Sequence, residues 1–132
     1  MKRILMDTNS YAAFKRNDPI AVNILRTVEY IGVNIIVLGE LLSGFKGGKK
    51  EAKNKKELEH FLDSPRVYII QMDEETAEFY AKIYWDLKKK GKPIPTNDMW
   101  VAASVLRHGL ALFTHDEHFN NIDGLLLYEG TL

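Results

Sequence analysis

The chain has 132 residues, 45% of them hydrophobic, enough for one buried core and short for two. It has no cysteine, which excludes disulfides and thiolate metal sites and leaves oxygen and imidazole as ligands for any ion. Lysine plus arginine and aspartate plus glutamate both number 18, so the formal net charge is +0, not the basic signature of a dedicated nucleic-acid binder.

The first apolar run, residues 3–6, reads as a strand. Asp7, Thr8, Asn9 and Ser10 end it and cap a helix over 11–15. Asp18 and Pro19 open a second helix as cap and first-turn proline; Ala21, Ile24, Leu25, Val28 and Ile31 make one apolar face, and Gly32 is read as its stop. Residues 33–38 are a nearly continuous β-branched run, the pattern of a parallel strand buried on both faces, and Glu40 follows it. The apolar segment 40–45 is broken by Gly44, Gly47 and Gly48 before a lysine-rich helix whose inward residues are Leu58, Phe61 and Leu62, ended by Pro65.

A third strand is expected over 67–72. Asp73 and the acidic pair Glu74 and Glu75 then start a helix reaching about Lys90, with Phe79, Ile83 and Leu87 inward and Gly91 as its stop. After a connector over 91–95, Thr96 or Asn97 caps a helix bearing Trp100, Val101, Val105 and Leu106, and Gly109 ends it. Residues 110–113 form a strand with Asp116 beyond its end, and 125–128 a last apolar strand. Strands alternating with helices imply a single α/β domain over residues 1–132: a doubly wound, mostly parallel central sheet flanked by helices on both faces. Nothing has the layout of a signal peptide or the length to span a membrane, so a soluble cytoplasmic protein is expected.

In such a fold ligands bind outside the carboxyl ends of the strands. The predicted elements put Asp7, Glu40 and Asp116 just past three strand ends, and Asp98 at a helix start on the same edge. Each acid has a plainer reading: Asp7 as a cap, Asp98 as a partner of the helix dipole, Glu40 and Asp116 as exposed loop residues. Their joint placement is harder to explain that way, because two like charges about 4 Å apart repel by roughly 4 kcal/mol at an effective dielectric near 20. A divalent cation removes the conflict, and an all-oxygen set favours Mg²⁺ or Mn²⁺, which would support in-line hydrolysis of phosphodiester bonds. Thr8, Asn9 and Thr114 are placed to orient the carboxylates or waters.

Asp7-Thr8-Asn9 after the first strand, Gly39-Glu40-Leu41 after the second, Asn97-Asp98 opening a helix that runs through Ala102-Ala103, and Thr114-His115-Asp116-Glu117-His118-Phe119 together resemble the PIN domain, specifically the VapC-type toxin ribonucleases. The likeness covers essentially the whole chain. It implies a Mg²⁺- or Mn²⁺-dependent endoribonuclease in which Asp7, Glu40, Asp98 and Asp116 match the family's acidic residues. It also implies RNA as substrate, a small antitoxin that plugs the active site, and a homodimer.

The lysine run that includes Lys46, Lys49 and Lys50 reads either as an RNA-backbone contact or as a solvated helix face. His115 and His118 flank Asp116 and read as a metal pair, as acid–base groups, as the rim of a phosphate site or as simple packing, with His115 a candidate RNA contact. No phosphate-loop or dinucleotide fingerprint occurs, and the residues after Asp7 are wrong for a phosphoaspartate enzyme. The non-enzymatic alternative is a metal-stabilised module that binds nucleic acid or protein without catalysis.

Overall fold

A computed structural model describes residues 2–129; residues 1 and 130–132 of the expected single domain lie outside the described part. The elements are β1 (Arg3–Met6), α1 (Thr8–Lys15), α2 (Pro19–Thr27), β2 (Tyr30–Asn34), α3 (Ile35–Lys46), α4 (Glu51–Leu62), β3 (Val67–Ile70), α5 (Glu74–Lys90), α6 (Thr96–His108) and β4 (Ala111–Phe113), followed by a 3₁₀ turn at Glu117–Asn121. All pairings are parallel and the sheet order is β3-β2-β1-β4. Successive strand residues point to opposite faces, so the complete burial of Ile4, Leu5 and Met6 shows that helices cover both faces of the sheet.

The chain builds outward from β1 to β2 and β3, then returns through α5 and α6 to lay β4 on the other side of β1. The direction of winding therefore reverses between β1 and β4. An open parallel sheet splays at that switch point and leaves a crevice at the strands' carboxyl ends. In register, Ile4, Leu5 and Met6 pair with Ala111, Leu112 and Phe113, so Asp7 and Thr114 are the residues that leave the sheet side by side.

The α5–α6 pair carries the return. Asp73 caps α5 in a capping box with Thr76, and its carboxylate also takes Arg107 of α6 at 3.0 Å. The Arg107 guanidinium and these hydrogen bonds hold the Asp73 carboxyl well below the usual carboxylate range. Tyr80 of α5 stacks on Trp100 of α6 with ring centroids 4.1 Å apart. Gly109, at φ 62°, closes α6 in the left-handed conformation that a side chain resists, and turns the chain directly into β4.

Several sequence expectations need correction, among them the break expected at Gly44, which lies inside α3. The run 33–38 is not one strand: β2 stops at Asn34, and residues 35–38 are the first turn of α3. Short apolar runs do not distinguish strand from helix by periodicity. Here Asn34 decides, because its buried side chain accepts the Ile36 N–H and donates to Ser104 Oγ, starting a helix. Glu40 therefore sits on α3 rather than just past a strand end. Gly32 is not a helix stop: α2 ends at Thr27, and Gly32 lies inside β2 where a Cβ would come within 2.4 Å of Ile70 Cδ1. Ile31 is likewise a strand residue, paired with Ile4 and Val67.

The helix cap expected at Thr96 or Asn97 falls at Pro95, which leaves the Asn97 amide free to reach Glu40 Oε2 at 3.4 Å. Finally, residues 125–128 form a single parallel bridge, Leu112 to Leu127, rather than a strand. The pairing is confined to Leu112, whose N–H donates to the Leu126 carbonyl and whose carbonyl accepts the Tyr128 N–H, both at 2.8 Å.

Candidate metal centre

The four acids predicted from the sequence arrive from four elements. Asp7 stands at the end of β1, Glu40 on α3, Asp98 in the first turn of α6 and Asp116 in the loop after β4. Together with Thr8, Asn9 and Val101 they line one crevice of about 120 Å³. It opens at the switch point between β1 and β4.

Hydrogen bonds hold the Asp7 and Glu40 carboxylates in place. Asp7 is 7% exposed and caps α1, its Oδ1 accepting the Ser10 N–H at 2.8 Å, while Ser10 Oγ donates to the Phe113 carbonyl on β4. The other oxygen, Oδ2, takes the Thr114 hydroxyl, which in turn accepts the Asp116 N–H at 3.0 Å. One threonine thus couples two acids across the β1–β4 junction. Glu40 is held by Thr8 Oγ1, which donates to Oε1 at 2.6 Å, and by Asn97 on its other oxygen.

The plain reading of Asp7 as a helix cap and its reading as a site acid are both satisfied, because the two jobs use different oxygens. Of the expected orienting residues, Thr8 and Thr114 make the contacts above, whereas Asn9 lies exposed on the crevice lining. Asn97, not singled out as an orienting residue, takes that role through Glu40.

The electrostatics report the crowding. Asp98 is pushed up to about 6, first by burial and then by the charges of Asp116 and Glu40; His118 opposes the shift and Asp7 adds to it. A carboxyl in that position is short of a cation. One ligand atom each from Asp98, Asp116 and His118 lies within 4.8 Å of the others. The donors are carboxylate oxygens and one imidazole, a set suited to a divalent ion and lacking any soft thiolate.

The remaining sequence candidates stand outside this crevice. His115 packs edge-on against Phe113 and lines a neighbouring cleft of about 210 Å³ with Asn120 and Tyr128. Lys46, Lys49 and Lys50 are exposed where α3 passes into α4; Lys46 pairs with Glu51 at 3.3 Å, and Lys50 lines a broad cleft with Lys15, Arg16 and Lys53. At a rise of 1.5 Å per residue, Lys46 lies about 9 Å along α3 from Glu40.

Comparison with known proteins gives the same picture from a different direction. The family model described as the PIN domain matches residues 4–125. Ribonuclease VapC2 of Rickettsia felis is 30% identical over 93% of this chain and 94% of its own length, and Ribonuclease VapC1 of Haemophilus influenzae is 29% identical over 96% and 97%. Among solved structures, VapBC2 from Rickettsia felis bound to a DNA fragment from its promoter superposes with a TM-score of 0.85 at 27% identity, covering 95% of this chain and 96% of that one. VapBC-1 from nontypeable Haemophilus influenzae gives 0.83 at 27% identity, covering 96% of each.

Proposed function

The chain belongs to the PIN-domain family, and on that premise we propose that it is a metal-dependent endoribonuclease, the toxin half of a type II toxin–antitoxin pair that its antitoxin inhibits. The observation that carries this reading is the convergence of Asp7, Glu40, Asp98 and Asp116 on one crevice at the β1–β4 switch point. Residues 1–132 are read as one domain acting in the cytoplasm as a homodimer, with RNA and a small antitoxin as partners. No described helix is long and apolar enough to cross a membrane.

Asp7, Asp98 and Asp116 would hold the ion, Mg²⁺ or Mn²⁺, and Glu40 would complete the site directly or through water. The fit rests on the donor set and on the Asp98 carboxyl, whose charged form a cation would favour. A divalent ion bound there would neutralise charge on a phosphoryl group and activate a water as the nucleophile. The chain's own residues do the rest. Thr114 fixes Asp7 relative to Asp116, Thr8 and Asn97 fix Glu40, and the buried end of β1 gives the carboxylates a rigid base.

The direct test is cleavage of a mixed single-stranded RNA by the purified chain with Mg²⁺ or Mn²⁺, beside the same protein in EDTA. Cleavage that EDTA abolishes is the expected result; metal binding without cleavage over a broad set of RNAs would favour a non-catalytic binding module. Thr114→Val removes the hydroxyl shared by Asp7 and Asp116 and keeps the side-chain volume. It is expected to lower Mn²⁺ affinity by about tenfold in a calorimetric titration, with circular dichroism unchanged. Unchanged affinity would mean that Thr114 does not organise the acids.

The basic stretch gives a weaker handle. Lys46, Lys49 and Lys50, together with His115, are proposed RNA contacts. Replacing the three lysines together by glutamine should reduce the dependence of log Kd on log salt by roughly 2 in slope, at about 0.7 per contact to a single strand. An unchanged slope would remove this stretch from the RNA path.

A further inference from the structure

The sequence offered His118 and His115 together, as a metal pair among other readings; the geometry separates His118 sharply from His115. Asp116 opens the 3₁₀ turn at Glu117–Asn121, its Oδ1 accepting the His118 backbone N–H at 2.9 Å. That fold-back swings the imidazole over the crevice, with Nδ1 3.1 Å from Asp116 Oδ1 and 3.9 Å from Asp98 Oδ2. A single ring nitrogen thus faces two carboxylates brought by different elements, the place where a cation between them would sit.

We infer that His118 is a metal ligand completing an Asp98–Asp116–His118 set, and that it makes the site select Mn²⁺ over Mg²⁺. Donors around an ion at about 2.1 Å stand roughly 3–4 Å apart, so the three ligand atoms, all within 4.8 Å of one another, need only small side-chain rotations to close on a common centre. The ring is 56% exposed and free to make that adjustment. Without an ion, Nδ1 stands within ion-pairing distance of both carboxylates. With one, the same ring nitrogen would offer its lone pair to the ion.

The selectivity follows from ligand chemistry. Mg²⁺ dehydrates reluctantly and takes oxygen almost exclusively, so an imidazole adds little to its binding. Transition-metal ions gain from nitrogen donors, and Mn²⁺, first in that series, gains more than Mg²⁺ does. Three acids alone would not separate the two ions in this way. His118 is thereby a specificity-determining residue of the site, distinct from the four acids.

This inference rests on the crevice binding a divalent ion, but not on its cleaving RNA, and the test keeps the two apart. Mn²⁺ is bound to the full chain and its electron spin echo modulation is read for coupling to a directly ligated ¹⁴N; Mn²⁺ and Mg²⁺ affinities are measured by calorimetry. Nitrogen coupling is expected in the parent and in His115→Ala, and lost in His118→Ala. The same His118→Ala change should lower Mn²⁺ affinity about tenfold and Mg²⁺ affinity by less than about twofold.

Bound Mn²⁺ without nitrogen coupling, or coupling that survives His118→Ala, would overturn the ligand assignment and leave the carboxylate site standing. No Mn²⁺ binding by the parent would overturn both. Nitrogen coupling in a protein that cleaves no RNA would support the ligand and sink the nuclease reading instead. Because the side chain is exposed, His118→Ala should keep the parent's thermal melt, so loss of affinity cannot be a folding defect.

Discussion

Asp98→Asn is expected to lower metal-dependent RNA cleavage by on the order of 10²–10³-fold while making the metal-free protein more stable. The two effects have one cause. Asp98 sits in the first turn of α6, where burial first, and then the charges of Asp116, Glu40 and Asp7, push its carboxyl up to about 6. The amide keeps the shape and removes the charge, so it relieves that repulsion and removes a ligand together. The gain should be about 1 kcal/mol at pH 7.5, seen as a rise in Tm of roughly 3–5 °C in EDTA. Activity falling together with Tm would mean that the acid is structural, and the four-carboxylate site would lose its best-placed member.

The same group sets a pH dependence with a definite sign. A carboxyl whose folded-state value stands above its unfolded value near 3.8 holds its proton more tightly in the folded chain. Its contribution to stability is complete below about 4 and is lost as pH rises through about 6. Asp73 and Glu57 act the other way, both being lowered by basic partners, so what they contribute is lost only as pH falls below their unfolded values. Denaturant titrations in EDTA between pH 4.5 and 7.5 should therefore show the parent losing stability relative to Asp98→Asn as pH rises. A pH-independent difference would contradict the placement of Asp98 among its neighbours.

The acids were legible in the sequence because the features that place them are local and repetitive. A short apolar strand followed by Asp7, a helix opened by Asn97 and Asp98, and Asp116 three residues beyond β4 each follow from strand, cap and turn signals, and parallel topology brings those ends to one edge. Glu40 was assigned to the right crevice by an imperfect route. It was placed past a strand end, whereas α3 carries it there and Thr8 and Asn97 catch it. Those partners lie 32 and 57 residues away in the chain, beyond the reach of periodicity. His118 was undervalued for a similar reason: its aim depends on how the turn at Asp116 folds back, which spacing alone does not encode.

Asn34→Val is expected to destabilise the fold by about 2–4 kcal/mol, against the effect that composition would suggest. By β-propensity a valine at this place should help, since it would extend the β-branched run from Val33 into residues 35–37. Asn34, however, has no exposed surface and has two jobs. Its side-chain oxygen starts α3 by accepting the Ile36 N–H, worth about 1 kcal/mol as a cap, and its amide satisfies the buried Ser104 hydroxyl, whose loss of a partner costs about 1–3 kcal/mol. The second cost can be isolated. In Asn34→Val/Ser104→Ala the orphaned hydroxyl is gone, so a urea titration should recover about 1–2 kcal/mol relative to the single variant, and a double-mutant cycle should show the two positions coupled. Additive losses would mean that Ser104 is satisfied elsewhere, for instance by the carbonyl one turn back on α6. A single variant within about 0.5 kcal/mol of the parent would show that the strand-to-helix switch is set by the packing of Val37, Leu38 and Leu41 rather than by Asn34. The consequence reaches the crevice, because α3 carries Glu40: if the cap fixes the helix's first turn, Asn34→Val should also loosen the Thr8–Glu40 contact and reduce cleavage in the fraction that remains folded.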